Sequence, residues 1–90
     1  MEKKYVILTG ATGGLGKAFA LELINKNKNL ILTATKQDRL EKFRAELLAK
    51  NSSVDIVCCE CDMSSEESRK NFFEFISSGG FVVEMLIISS

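Results

Sequence analysis

Residues Thr9-Gly10-Ala11-Thr12-Gly13-Gly14-Leu15-Gly16 follow directly on the apolar run Tyr5-Val6-Ile7-Leu8. A glycine-rich turn between a buried strand and a helix presents backbone N–H groups and the positive end of the helix dipole to an anion, so the chemistry it suits is the holding of a pyrophosphate. Nucleotide binding, and dinucleotide binding in particular, is the expectation. In that arrangement Gly10 permits the tight exit from the strand, the Gly13-Gly14 pair lets the backbone approach phosphate oxygens, and Gly16 lets the helix pack closely. Groups for proton transfer are scarce by contrast: there is no histidine, and the single tyrosine, Tyr5, falls at the start of the first strand. Cys58-Cys59-Glu60-Cys61 contains a C-x-x-C, yet it lies on a strand, and no second pair or histidine completes a zinc set. These are expected to be buried, reduced thiols, with no metal site, and Ser64 reads as a helix cap and not as a catalytic hydroxyl.

The elements that position this turn alternate. Extended runs at Tyr5 to Thr9, Leu30 to Ala34, Val54 to Cys59 and Val82 to Ile88 are separated by three helical segments, an α/β pattern with a parallel sheet. The first helix is expected over Leu15 to Asn25, with Leu15, Phe19 and Leu23 facing the sheet. The second, Gln37 to Lys50, places Leu40, Phe43, Leu47 and Leu48 on one side. The third opens with Ser64 as N-cap and Glu67 at capping-box spacing, carries Phe72, Phe73, Phe75 and Ile76 as core residues, and stops at Gly79-Gly80. Right-handed crossovers lead from strand one to two to three, and the fourth strand returns beside the first. The predicted sheet is therefore four-stranded and parallel in the order 3-2-1-4, half of a doubly wound Rossmann-like fold with three helices. Ligands bind such sheets at the switch point, here between strands one and four, where the glycine turn and Ser89 both fall.

Ninety residues, 46% of them hydrophobic and 27% charged, are expected to form one globular domain spanning 1–90. No apolar run is long enough for a membrane span, and twelve basic against twelve acidic residues leave no field to attract nucleic acid. Neither membrane nor nucleic acid is an expected partner. The start of the chain lacks a signal-peptide pattern, and with its reduced thiols the protein is expected in the cytoplasm.

Thr-Gly-x-x-x-Gly-x-Gly after a first strand resembles the short-chain dehydrogenase/reductase family, and the likeness runs along the whole chain. The same glycines satisfy Gly10-x-x-Gly13-x-x-Gly16, the pattern of the extended, epimerase-like branch, but Asp62-Met63-Ser64-Ser65-Glu66-Glu67 is similar to the strand-to-helix turn of the classical branch. The resemblance implies that Gly10, Thr12, Gly13, Gly14, Leu15 and Gly16 bind the cofactor. It further implies that Asp62, with Met63 beside it, meets the adenine amino group, and that Ser89 stands where the family has an asparagine. Strand two ends Thr33-Ala34-Thr35-Lys36, with Ala34 at the position where NAD-preferring members carry a carboxylate. Thr35, Lys36 and Arg39 would instead meet a 2′-phosphate, so NADP is expected ahead of NAD, although the family's NADP binders often carry arginine where Thr35 stands and a basic residue where Gly13 stands.

The likeness covers the cofactor-binding part of a longer family pattern, without the serine, tyrosine and lysine that such enzymes use for proton transfer. The chain is expected to be the truncated NADP(H)-binding portion of an oxidoreductase, inactive in hydride transfer alone. The alternative is a stand-alone, non-catalytic dinucleotide-binding or assembly module. Strand four is apolar on both faces at Met85-Leu86-Ile87-Ile88, and self-association through its edge is expected.

Overall fold

The computed structural model describes residues 3–89. In chain order the elements are β1 (Lys4–Thr9), α1 (Gly14–Asn25), β2 (Asn29–Ala34), α2 (Gln37–Lys50), β3 (Ile56–Glu60), α3 (Glu66–Ser78) and β4 (Val82–Ile88). The four strands form one parallel sheet in the order β3-β2-β1-β4, as the crossover rule requires.

Alternation along the strands divides the core into two layers. Val6, Leu8, Leu30 and Leu32 pack on one face with Ala20 and Ile24 of α1 and Leu40, Phe43 and Leu47 of α2. Tyr5, Ile7 and Ile31 pack on the other with Phe72 and Ile76 of α3. β1 and β2 are apolar toward both layers, which is why they sit in the middle of the sheet. β4 pairs with β1 through a register shift between Tyr5 and Val6, leaving Glu84 outside the Cα pairing. Its free side exposes Val83, Met85, Leu86 and Ile88.

Helix α1 corrects the expected stripe. Its buried residues are Gly16, Ala20 and Ile24, while Leu15 is 60% exposed and Phe19 and Leu23 only flank the core. The helix is rotated by about one residue, 100° in an ideal helix, relative to the large apolar side chains. Close approach at its first turn causes this: a Cβ on Gly16 would lie 2.3 Å from the Gly10 carbonyl oxygen. Small residues face inward because only small residues fit.

Two further corrections concern α3 and β3. The N-cap of α3 is Ser65, whose Oγ accepts from the Ser68 N–H at 3.2 Å, and not Ser64. Ser64 is drawn away because its own Oγ donates to Asp62 at 2.6 Å. Phe72 is buried, but Phe73 and Phe75 are 46% and 37% exposed, since on a helix positions 73 and 75 diverge to opposite sides of 72 and the three cannot all face one sheet. β3 begins at Ile56, after Val54, which is buried in the core without being part of the strand. Of the cysteines, Cys61 is buried whereas Cys58 and Cys59 are half-buried, one against each layer, and all three are free thiols.

Candidate functional site

The carboxyl ends of the strands open into a cleft of about 460 Å³ at the switch point between β1 and β4. Its walls come from four places in the chain: the turn after β1, the end of β2, the turn after β3 and the end of β4.

Gly10 begins the first wall in the left-handed region at φ 64°, the conformation that glycine adopts without strain. The Ala11 N–H donates to the Thr33 carbonyl at 3.1 Å and the Gly13 N–H to the Gly10 carbonyl at 3.1 Å, so the turn is pinned to β2 and closed on itself. Gly13 is the N-cap of α1 and has no side chain to offer. The N–H groups at the start of α1 have no side-chain acceptor among the described residues, and a Cβ on Gly14 would meet nothing within 4 Å. An uncapped helix start with open space before it is a place where backbone N–H groups can meet an anion.

The turn after β3 supplies a fixed negative charge. Asp62 Oδ1 accepts from the Ser64 N–H at 3.0 Å and from Ser64 Oγ at 2.6 Å. Those hydrogen bonds hold its carboxyl below the usual carboxylate range, so it is ionised at neutral pH. Ser68 Oγ accepts from the Asp62 N–H at 2.9 Å, and Arg69 donates to the Met63 carbonyl at 2.7 Å, so α3 holds this turn in place. With Oδ1 committed to Ser64, Oδ2 has no hydrogen-bond partner among the described residues.

At the far wall, the Ser89 N–H donates to Thr9 Oγ1 at 3.2 Å, which ties the end of β4 to β1 through a backbone group. The Ser89 hydroxyl is buried, Ser89 lines the cleft, and the hydroxyl has no partner among the described residues. Thr33 Oγ1, one strand over, is likewise buried without a partner.

Of the residues singled out in the sequence, Gly10, Thr12, Gly13, Thr35, Asp62, Met63 and Ser89 line this cleft. Gly14 and Leu15 stand at the start of α1 beside it, Gly16 is buried under the turn, and Lys36 is exposed at the N-cap of α2. Thr9, Ala34, Cys61, Ser64 and Ile88 also line it. Their signal was positional: Thr9, Ala34, Cys61 and Ile88 are at, or within one residue of, the end of a strand that the topology brings to the switch point, and Ser64 lies in the turn that follows β3. Tyr5 lies at the opposite end of the sheet and donates to Asp55. Burial pushes the Cys58 thiol up to about 11 and that of Cys59 in the same direction, so neither is a poised nucleophile.

A parallel sheet with its cleft at a switch point, a glycine turn closing on an uncapped helix and an acidic turn opposite define a Rossmann-like unit. The family profile described as short chain dehydrogenase matches residues 4–89, and the chain belongs to that family. Among curated relatives, the NADPH-dependent reductase BacG of Bacillus subtilis is 30% identical over 87 residues, 97% of this chain and 34% of that protein. Among solved structures, YwfH, an NADPH dependent reductase involved in bacilysin biosynthesis, superposes with a TM-score of 0.86 at 28% identity, covering 94% of this chain and 36% of that one. The alcohol dehydrogenase of the archaeon Thermococcus sibiricus, complexed with 5-hydroxy-NADP, superposes with a TM-score of 0.83 at 32% identity and the same coverage. The chain thus spans about a third of the length of these relatives.

Proposed function

We propose that the chain is the NADP(H)-binding portion of a short-chain dehydrogenase/reductase-type oxidoreductase. The carrying observation is the cleft at the switch point, where an uncapped helix start, an ionised Asp62 and an unpartnered Ser89 hydroxyl converge. In this reading the N–H groups of Gly14, Leu15 and Gly16 hold the pyrophosphate, with Gly10, Thr12 and Gly13 shaping the turn beside them. Asp62 and Met63 contact the adenine, Thr35 and Lys36 face the adenosine ribose, and the Ser89 hydroxyl meets the cofactor chain crossing β4. Ala34 ends β2 without a carboxylate, which removes the repulsion that a 2′-phosphate would meet there. The two relatives named as NADPH-dependent and the one solved with an NADP derivative support NADP over NAD.

The cofactor, once bound, carries the hydride of an oxidation or reduction. The described residues bind and orient it: the chain has no histidine, and its one tyrosine is at the wrong end of the sheet for proton transfer. We infer that these ninety residues, as one domain, bind without turning over, and that proton transfer belongs to residues outside them. The exposed apolar side chains of β4 support self-association along that edge, and three free thiols support a reducing, cytoplasmic location. Among the described residues no helix is long and apolar enough to cross a membrane.

A fluorescence titration of the chain with NADPH and NADH in parallel tests this reading. Saturable binding, tighter for NADPH, is expected; absence of binding to either removes the function from this cleft.

A further inference from the structure

Sulfur atoms gather at the base of the cleft, under the turn after β3. The C-x-x-C spacing of Cys58 and Cys61 does not bring those two together, because Cys58 packs against the α1 and α2 layer and Cys61 against the α3 layer. Alternation instead puts Cys59, Cys61 and Met63 in the same layer, with Val57 before them. The Cys61 N–H donates to the Ala34 carbonyl at 2.9 Å, so the extended pairing that sets this alternation runs one residue past the end of β3. The Cys61 sulfur is buried, 3.3 Å from the Met63 thioether sulfur and 3.6 Å from the Ser68 carbonyl. Cys59 is half-buried two residues earlier on the same face. Burial first, and then the Cys61 charge, pushes its thiol up, which places the two cysteines within electrostatic reach of each other. The carboxylates between them turn aside: Glu60 accepts from the Gln37 N–H at 3.0 Å, and Asp62 accepts from Ser64. Among the described residues no group of three His, Cys, Asp or Glu side chains could hold a metal ion, so the third member here is a thioether and the set is sulfur alone.

We propose that Cys59, Cys61 and Met63 form a site for one soft monovalent cation of the copper(I) class. Thiolate and thioether ligands select such an ion, whereas structural zinc takes four ligands in a closed tetrahedron and magnesium and calcium take carboxylates. A closed-shell monovalent ion accepts the three-coordinate set that these sulfurs offer. Cys59 and Cys61 each lose a proton to solvent as they bind the ion, Met63 binds as the neutral thioether, and no electron is transferred. Cys61 and Met63 both line the cleft, which gives the ion a path in, and the flexible Met63 side chain draws back as the sulfurs spread around it. The site lies beside the proposed adenine contacts of Asp62 and Met63 and does not depend on them.

Anaerobic titration of the full chain with copper(I), held by a chromophoric copper(I) chelator, tests the site. The unmodified chain should withdraw one equivalent of copper(I) and hold it more tightly as pH rises, since thiol protons leave on binding. Copper X-ray absorption should then show three sulfur neighbours. Met63→Leu, a volume-conserving change that keeps the core filled, should lower affinity by roughly tenfold and leave two sulfurs. Cys59→Ser and Cys61→Ser should each lose the site, while Cys58→Ser, in the opposite layer, should retain it. Circular dichroism of each variant before copper is added separates loss of the site from loss of the fold, and Met63→Leu carries the test if Cys61→Ser does not fold. Failure of the unmodified chain to take copper(I), equal loss with Cys58→Ser, or an unchanged copper environment in Met63→Leu overturns the proposal. NADPH titration of the metal-free chain reads the dinucleotide site separately, so the two can fail independently.

Discussion

The two ends of the sheet handle their polar groups in opposite ways. At the amino end, Tyr5 donates to Asp55, Lys3 approaches Asp55 at 4.0 Å, and Asn29 bridges the Lys4 carbonyl and the Asp55 N–H. Beside them Asn51 donates to the Ile24 carbonyl at 2.7 Å and to Asn27, which sits in the left-handed region at φ 58°. At the carboxyl end, Thr33 and Ser89 keep buried hydroxyls without partners and α1 starts without a cap. An unpaired buried polar group costs about 1–3 kcal/mol, so the open end is a standing penalty that a ligand can remove. Under the proposed function, local stability and affinity for a ligand are thus placed at opposite ends of the same strands.

The contrast breaks most severely at Gly16. Placing a Cβ 2.3 Å from the Gly10 oxygen and 3.0 Å from Ala11 Cα forces the turn and α1 apart. Gly16→Ala should lower stability by about 3 kcal/mol in urea denaturation and remove nucleotide binding with it. Gly13→Asp tests whether the carboxyl end was left open for an anion. At φ −77° and ψ 165° the position accepts an ordinary residue, so the aspartate should cap α1 and raise stability by roughly 0.5 kcal/mol. The same carboxylate should weaken NADPH binding by about tenfold or more. If Gly13→Asp bound NADPH as tightly as the unmodified chain, the anion site would be elsewhere.

Smaller effects sharpen the amino end. The hydrogen bond to Asp55, with burial and the carboxylate charge adding to it, pushes the Tyr5 hydroxyl up from 10.0 to about 12. The folded state therefore favours the protonated phenol. Its contribution is complete below pH 10 and is lost as pH rises toward 12. Tyr5→Phe should cost about 1 kcal/mol at neutral pH and flatten stability across that alkaline window, as thermal melts at stepped pH would register. Ser65→Ala should cost about 1 kcal/mol by uncapping α3, measurable as faster amide exchange in its first turn.

The layout of the fold was legible because each strand is short, apolar and followed by punctuation, and because crossover handedness leaves few orders for four parallel strands. The Gly10 turn and Ser89 could be placed at the cleft from that order alone, and Asp62 from the resemblance to the family. Residues that depend on contact between distant elements were harder to read. The inward stripe of α1 is a glycine, an alanine and one isoleucine, so its larger neighbours Leu15, Phe19 and Leu23 dominate the apolar pattern. Ser64 and Ser65 are indistinguishable as caps until Asp62 takes one of them. Lys17 is an ordinary surface residue in the sequence, and only the packing of α1 beside α2 brings it over the Phe43 ring and near Arg39.

Cys58 and Cys59 give the molecule a pair of native labels. They are adjacent on an edge strand, yet one leans on the α1 and α2 layer and the other on the α3 layer. Both thiols are suppressed in the folded state by burial, so alkylation reports opening of the layer that covers each. Because the two share a backbone, unequal labelling rates would separate motion of one helical layer from detachment of the strand itself.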